Sequence, residues 1–229
     1  MVHDNDTTPP RPPVAVKLTV KEVTETGDNP LEGVLVAELA NADGKPTGQT
    51  ATSDKDGIAT LNVMPGVRFG VKLTKSGYMD SYTFGLSSTD TAHRANILPT
   101  AMATGIATLL AVTLDPAKAI VAGNVNWKEA QDVDVPVGCA AVEATPAGQI
   151  FYIDADGSPT TPDKLSSTSK SGAGFILMTT VPGTVTFKAK IDGNEVASGT
   201  NLVFAGSITF DTVMLASGAA NPTPASCNQ

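Results

Sequence analysis

The chain has 229 residues, which is enough for two domains of about 100 residues each. Hydrophobic residues make up 41% and can supply a core, whereas charged residues make up only 17% and the net charge is −8. With no basic stripe to neutralise phosphates, the composition excludes a nucleic-acid binder and argues against docking on anionic lipid. The 29 threonines, 21 glycines and 16 prolines favour β-structure with many short strands.

Residues 1–13 form a leader that is rich in proline and threonine and contains no apolar segment of the signal-peptide kind. Because proline fixes φ and lacks an N–H group, we expect this leader to be an extended spacer rather than a folded element. Such a spacer suits a surface protein that follows a removed signal or a lipid-anchored residue; its alternative is the ragged N-terminus of a cytoplasmic protein. No apolar run approaches the roughly 20 residues that a membrane-spanning helix needs.

The segment 14–90 consists of short alternating runs of apolar and polar residues, separated by turn-forming residues. It opens with apolar residues at the period of two that is typical of a half-buried strand, namely Val14, Val16, Leu18 and Val20. The turn-forming stretches that follow lie at residues 26–30, 42–46, 53–57, 64–66 and 76–78. Short strands at such regular spacing predict a first β-sandwich over residues 14–90.

The second half repeats the pattern of the first half at a fixed offset. Gly57 and Gly174 are 117 positions apart, and so are Pro65 and Pro182. A further alternating run supplies an inward face made of Val185, Phe187, Ala189 and Ile191. The repeat predicts a second β-sandwich over residues 119–217.

A different pattern lies between the two halves, in the predicted linker 91–118. Its alanine-rich stretch has apolar residues at the spacing of one helical face, namely Met102, Ile106, Leu109 and Leu110. One glycine in this stretch lowers the helix propensity by up to about 1 kcal/mol, so the helix must be held by packing. We therefore predict a short helix that packs on the two sandwiches at their junction.

The two cysteines, Cys139 and Cys227, are too far apart for a CxxC redox motif, a zinc cage or a haem site. In an exported protein they would form one disulfide that pins the C-terminal tail, residues 218–229, to the second sandwich. In a reducing compartment they would be two unpaired thiols. The disulfide is the favoured prediction because the leader indicates export.

Turn-forming motifs recur at four places in the first half. They are Pro30-Leu31-Glu32-Gly33-Val34, Thr52-Ser53-Asp54-Lys55-Asp56-Gly57, Met64-Pro65-Gly66 and Ser76-Gly77-Tyr78. The second half lacks the Gly-Tyr pair but keeps Thr168-Ser169, Gly174-Phe175 and Val181-Pro182-Gly183. These motifs resemble the carboxypeptidase regulatory-like family, whose domains are transthyretin-like β-sandwiches, and the connected pair resembles two-module surface lipoproteins of bacteria. The resemblance implies an accessory or structural module without catalytic residues of its own.

A hydrolase needs a nucleophile, a base and an orienting group, and this sequence offers few candidates. His93 is the plausible base, because the other histidine, His3, lies in the leader. The alternative is an exposed histidine in a loop that follows the first sandwich. The sequence contains neither a Gly-x-Ser-x-Gly elbow nor an H-E-x-x-H motif, and it therefore predicts no catalytic residues and no enzyme.

Two acidic turns could begin a calcium loop. Asp154 and Asp156 form the better pair, and Asp54 and Asp56 form the other, each next to a glycine. A full calcium loop also needs a glutamate at its twelfth position, which both turns lack, and Asp-Gly is in any case a favoured hairpin turn. Calcium is therefore the one cofactor that the sequence leaves open.

Exposed aromatic rings could stack on a sugar and so form a ligand-binding site. Trp127 is the sole tryptophan and lies near a predicted strand end beside polar residues, and Tyr152 is the second candidate. The alternative is an amphipathic tryptophan that covers the end of the second core.

Together these patterns predict an all-β protein made of two tandem Ig-like or transthyretin-like β-sandwiches joined by a short helical linker. The predicted function is a non-enzymatic structural or adhesive module, secreted or displayed on the outer surface of a bacterium, with the periplasm as the alternative location. Its expected partners are other surface proteins or polysaccharide, with no nucleic acid, and with membrane contact only through an N-terminal lipid anchor. The competing functions are binding of a carbohydrate or small ligand, and service as the accessory subunit of an extracellular enzyme.

Overall fold

The computed structural model describes residues 11–24, 27–128, 134–172, 174–216 and 220–227. Most of the predicted leader, residues 1–10, lies outside these ranges. Within them the chain is all-β apart from one helix of ten residues. No helix in these ranges is both long enough and apolar enough to cross a membrane.

Eight strands precede the helix and nine follow it in the described residues. The first set is β1 (Val14–Thr24), β2 (Gly27–Pro30), β3 (Leu35–Ala40), β4 (Pro46–Thr52), β5 (Ile58–Val63), β6 (Arg68–Thr74), β7 (Asp80–Ser87) and β8 (Ala92–Ile97). The helix is α1 (Thr100–Leu109). The second set is β9 (Ala119–Lys128), β10 (Asp134–Pro136), β11 (Ala141–Thr145), β12 (Gln149–Ile153), β13 (Pro159–Thr160), β14 (Gly174–Thr180), β15 (Gly183–Ile191), β16 (Asn194–Val203) and β17 (Ser207–Ala216).

The first eight strands form two layers that enclose a core. β1 is central to one layer: it pairs antiparallel with β5 and β2 along one edge and parallel with β8 along the other. The other layer is antiparallel, in the order β7-β6-β3-β4. The alternation predicted for β1 is confirmed, because its inward residues share a buried cluster with those of β6, namely Val16, Leu18, Val20, Phe69, Val71 and Leu73.

The second half repeats the strand pairings of the first half. β9 pairs antiparallel with β14 and parallel with β17, as β1 does with β5 and β8. In the opposite layer β15 pairs antiparallel with β11 and β16, as β6 does with β3 and β7. The predicted inward face of β15 is buried, and its residues are Val185, Phe187, Ala189 and Ile191.

β8 corrects the predicted boundary between the first sandwich and the linker. The sequence pattern assigns residues 92–97 to the linker, but the structure pairs them in parallel with β1, from Ala92 beside Lys17 to Ile97 beside Glu22. Ala95 and Ile97 are buried in the first core. Only these two residues of β8 are buried, which is too short an apolar pattern to predict a strand from the sequence. The strand is therefore recognised from its pairing with β1. The first half therefore ends at Ile97 rather than at residue 90.

α1 forms within the predicted stretch, and three of its four predicted apolar residues pack, since Met102 and Ile106 lie partly buried against an apolar cluster that includes Leu110. Ala103, Ala107 and the C-cap residue Leu110 are buried, whereas Leu109 is 63% exposed. The small alanines allow the helix to lie close to an apolar cluster supplied by β9, β14 and β17, which contains Ile120, Ile176, Met178 and Ile208. The predicted apolar stripe is therefore confirmed at Met102, Ile106 and Leu110 and wrong at Leu109, and Ala103 and Ala107 complete the packed face.

One strand joins the two halves. β17 lies between β9 and β7 and pairs in parallel with both, so one sheet runs in the order β13-β12-β14-β9-β17-β7-β6-β3-β4. Beside this contact the ring of Phe204 stacks on Tyr82 with 4.3 Å between the ring centroids. We call the paired residues 207–209 and 80–82, together with Phe204, the joint.

Gly44 packs against the joint and offers a test of it. A Cβ atom at Gly44 would lie 2.5 Å from Cζ of Phe204, whereas a Cβ atom at Gly66 would meet open space, and φ is similar at the two glycines, +69° and +76°. We expect Gly66→Ala to lower the free energy of unfolding by about 1 kcal/mol through backbone strain. Gly44→Ala is expected to cost roughly 1 kcal/mol more, because the Phe204 ring must move off Tyr82.

Urea denaturation of the two variants measures this difference. Phe204→Leu is the control background, because removing the ring should shrink the gap between the two glycine variants. Equal losses for Gly44→Ala and Gly66→Ala in the wild-type background would show that the stacked ring does not stabilise the joint.

Candidate functional site

The candidate base, His93, has a structural partner. It lies in β8 and not in the loop that the sequence pattern indicates. Its Nε2 donates a hydrogen bond to the backbone oxygen of Ser87 at 2.8 Å, and its ring meets Phe69 edge-on at 6.0 Å. These contacts hold the imidazole between two strands of the first half, so its ring nitrogen is used in the fold.

The two acidic turns use their first carboxylate in the same way. Oδ1 of Asp154 accepts hydrogen bonds from the backbone N–H groups of Asp156 and Ser158 at 3.0 and 2.9 Å. Oδ1 of Asp54 accepts from the N–H groups two and four residues later, both at 2.9 Å. Each aspartate therefore stabilises its own turn by satisfying backbone donors.

The calcium prediction gains no further ligand from the fold. Asp154 and Asp156 are brought together only by their own turn, and the described residues contain no group of three or more His, Cys, Asp or Glu side chains able to hold a metal ion. A calcium ion needs six to eight oxygen ligands, so this pair would leave most of its coordination to water.

The two aromatic candidates belong to the second core. Tyr152 is only 5% exposed, and its hydroxyl oxygen accepts a hydrogen bond from the N–H of Val142 at 2.7 Å. Its ring is therefore not available for stacking on a sugar, and this half of the proposed ligand site is wrong. Trp127 is partly buried and packs against the same core at the end of β9, where it pairs with Val135 of β10.

Three open clefts flank the contact between the halves, with volumes of about 380, 440 and 480 Å³. The described residues that line them include no histidine, cysteine or serine, and neither Trp127 nor Tyr152. The smallest one lies beside α1, where Asp80 and Lys118 are among its lining residues. Among the described residues, the linings therefore contain none of the side chains that the sequence suggested for a site.

Charged groups strengthen the joint. Nζ of Lys72 lies 2.6 Å from a carboxylate oxygen of Asp80 and 5.7 Å from the centre of the Tyr82 ring. Burial lowers the pKa of Lys72, but the hydrogen bond to Asp80 and the nearby Tyr82 outweigh it and leave that pKa raised. Burial raises the pKa of Tyr82. Both groups therefore keep their neutral-pH charge states, and the cation stays over the ring.

The predicted disulfide is present and forms the centre of a second built region. Cys139 and Cys227 are bonded, with 5.8 Å between their Cα atoms. The tail before Cys227 is held as well: Gly138 donates its N–H to Oγ1 of Thr223 at 2.9 Å, and Asn221 donates its side-chain amide to the backbone oxygen of Pro136 at 3.0 Å. We call this region, residues 136–140 with Thr168 and the tail residues 221–227, the tail clamp.

A buried hydroxyl shapes the loop of the tail clamp. Oγ1 of Thr168 donates to the backbone oxygen of Val137 at 2.7 Å and accepts from the N–H of Ala140 at 2.9 Å. The N–H of Cys139 donates to the backbone oxygen of Thr168 at 2.7 Å. Thr168 is completely buried, so these contacts satisfy groups that water cannot reach.

The first half contains the same arrangement without the disulfide. Oγ of Ser53 donates to the backbone oxygen of Leu31 and accepts from the N–H of Val34, and the N–H of Gly33 donates to the backbone oxygen of Ser53. Gly33 has φ of +73°, and Cys139 holds the equivalent turn position with φ of +58°. The second half thus carries a cysteine where the first half uses a glycine. The sequence motif that contains Ser53 marked a turn, but its hydroxyl bridge was missed.

No protein-family model matches the chain, and no curated protein matches it. Among solved structures the chain is similar to the Bacillus anthracis TIE protein, with 14% identity and a TM-score of 0.29 over 90% of this chain and 35% of that one. It is also similar to GBS52, the minor pilin of Streptococcus agalactiae, with 11% identity and a TM-score of 0.28 over 92% and 99% of the two chains. The shaft pilin SpaA of Lactobacillus rhamnosus GG gives 11% identity and 0.28 over 92% and 100%.

The chain spans only 35% of the length of the TIE protein and nearly the whole of the two pilins. At identities and TM-scores this low, none of these similarities assigns a family or a function. The functional interpretation therefore depends on the chain's own contacts.

Replacing Thr168 by valine tests the tail clamp. Valine keeps the shape of threonine but leaves the N–H of Ala140 and the backbone oxygen of Val137 buried without their partner. We expect Thr168→Val to lower the free energy of unfolding by about 2–3 kcal/mol. Thr168→Ser keeps the hydroxyl and is the matched control, expected to cost less. A Thr168→Val variant as stable as Thr168→Ser in chemical denaturation would contradict the bridging role.

The raised pKa of Tyr152 makes the stability of the protein depend on pH. Burial raises its pKa, only partly offset by the hydrogen bond from Val142, so the folded protein favours the neutral phenol more than the unfolded chain does. Stability from this group is fully present below the unfolded pKa of about 10 and is lost as the pH rises through the higher folded value. Tyr152→Phe is expected to lower stability at neutral pH by about 1–3 kcal/mol, because the N–H of Val142 loses its acceptor.

The same variant should flatten the alkaline fall in stability above about pH 10. Tyr78→Phe is the control for the loss at neutral pH, because the Tyr78 hydroxyl donates to the Glu22 carboxylate and its loss leaves no buried backbone donor without a partner. Burial and the Glu22 carboxylate also raise the pKa of Tyr78, so this variant is expected to flatten the alkaline fall as well. Unfolding followed at several pH values measures both effects. An alkaline fall as steep in Tyr152→Phe as in the wild type would rule out Tyr152 as its source.

Proposed function

We propose that this protein is a non-enzymatic structural or adhesive module, secreted or displayed on the outer surface of a bacterium. We further propose that it consists of two tandem transthyretin-like sandwiches with α1 between them. The observation that carries the proposal is the joint. A sheet that continues from one half into the other makes one extended body, and that suits a scaffold better than two independently moving binding domains.

The order of strands in the first half supports a load-bearing role. Its first and last strands, β1 and β8, pair in parallel over six residues. When two parallel strands are pulled at the start of one and the end of the other, the hydrogen bonds between them are loaded together in shear. Such bonds must break at once rather than one after another, so the first half is arranged to resist extension between its ends.

The polar groups support a structural role in another way. His93 donates a hydrogen bond to a backbone oxygen, and Asp154 accepts hydrogen bonds from backbone N–H groups of its own turn. Tyr152 is buried in the second core and accepts a hydrogen bond from a backbone N–H group. In the described part of the chain these groups are used to stabilise the fold and are not gathered in a cleft. Catalysis needs a nucleophile and a base in reach of one substrate, and this arrangement does not favour it.

The disulfide supports an extracellular location, because disulfides form and persist in oxidising compartments. The bacterial outer surface fits the proline-rich leader, which would serve as a spacer from an anchor, and the periplasm is the alternative location. We propose other surface proteins or polysaccharide as the partners of such a module.

Proteolysis of intact host cells, combined with thiol alkylation, tests the proposed location. If the protein is displayed on the surface, trypsin added to intact cells is expected to degrade it, while a cytoplasmic enzyme in the same cells stays intact. If it is secreted, it is expected in the culture medium. Both cysteines should resist iodoacetamide until a reductant is added, which mass spectrometry detects. Recovery of the protein in the cytosol with two alkylated thiols would overturn the proposal.

A further inference from the structure

The disulfide closes a covalent loop around most of the second half. Cys139 and Cys227 are 88 positions apart, and the segment between them contains every strand from β11 to β17. We infer that, when the chain is pulled at its two ends, tension passes through this disulfide and bypasses β11 to β17. The inference deepens the proposed structural role and rests on it for its biological meaning.

Covalent connectivity dictates the path of the tension. A force that enters at the leader runs along the first half, through α1 and β9, and reaches Cys139. There the chain offers a route of one disulfide bond and a route of 88 residues to the same end point. The short route becomes taut first, because the Cα atoms of the two cysteines are only 5.8 Å apart, so the long route bears no tension while the disulfide is intact.

The slack route contains the strand that joins the two halves. β17 pairs with β7 through only three residues, 207–209, and with β9 through eight. Without the disulfide a pull on the tail would act on the end of β17 at Ala216 and shear this strand along both of its neighbours. With the disulfide the pull acts at Cys139 instead, and β17 is spared direct tension.

The tail clamp is suited to be the point where the load leaves the fold. The N–H group of Cys139 donates a hydrogen bond to the backbone oxygen of Thr168. The Thr168 hydroxyl also bonds to Val137 and Ala140, which lie on either side of Cys139 in the loop. Gly138 is packed so closely that a Cβ atom there would lie 2.8 Å from Cα of Lys170 and 3.0 Å from Sγ of Cys227. The tension therefore leaves the folded domain at Cys139, which lies in a close-packed and hydrogen-bonded loop.

Single-molecule pulling of the full chain, with handles at both ends, tests the inference. Without reductant the fully unfolded chain should be shorter than its residue count predicts by about 300 Å, which is the extended length of the chain over the 88 positions that separate the two cysteines. With dithiothreitol an additional step of about 300 Å should follow unfolding of the second half, once the disulfide is exposed and reduced to two thiols.

The double variant Cys139→Ser/Cys227→Ser should reach the full length without reductant, and its joint should separate at a lower force. Thr223→Val is the matched control, because it removes a hydrogen bond of the tail clamp but keeps the disulfide, and it should retain the short extension. If the double variant does not fold, the wild-type comparison with and without dithiothreitol still decides.

Full extension of the wild type without reductant would overturn the inference, and so would a joint that separates at the same force in the double variant. These outcomes are distinct from failure of the proposed function. A cytosolic protein with reduced thiols in its host would reject the surface role, yet the oxidised chain would still show the short extension in the pulling experiment.

Discussion

The whole architecture depends on the placement of β17 between β7 and β9. This strand closes the second half by its parallel pairing with β9, and the same strand reaches β7 of the first half. Both contacts must form on opposite edges of a single strand, so the two halves cannot turn freely about the linker. The aromatic stack of Phe204 on Tyr82 reinforces this contact across the two halves, and the ion pair of Lys72 with Asp80 lies next to it within the first half.

The two halves show how one loop design can acquire a covalent bond. In each half a buried hydroxyl, from Ser53 or Thr168, bridges the loop that precedes β3 or β11, respectively. The turn needs a residue with positive φ, which Gly33 provides at no steric cost and Cys139 provides at some cost. In the second half the cysteine at this strained position forms the disulfide that holds the C-terminal tail.

The candidate sites were only partly predictable from the sequence. Residue types suggested chemistry for His93, Asp154 and Tyr152, yet each of these side chains has a hydrogen-bond partner within the fold. Such partners are contributed by backbone groups, which look alike at every position of a sequence. The cysteine pair was predictable because only two cysteines exist and one bond satisfies both. The role of Thr168 was not predictable, because nothing in the sequence distinguishes a buried threonine from an exposed one.

The sequence by itself determined the all-β character, the repeat of one strand pattern in two halves, the inward faces of β1 and β15, and the position of the helix. These features are local, since they follow from alternation, turn residues and helical spacing within a few positions. Only the tertiary structure decided that residues 92–97 join β1, that Ala103 and Ala107 rather than Leu109 pack on the face of α1, and that β17 connects the halves. Those outcomes depend on which distant edges and surfaces meet. A strand's alternation specifies which face is buried, but it does not specify the neighbour.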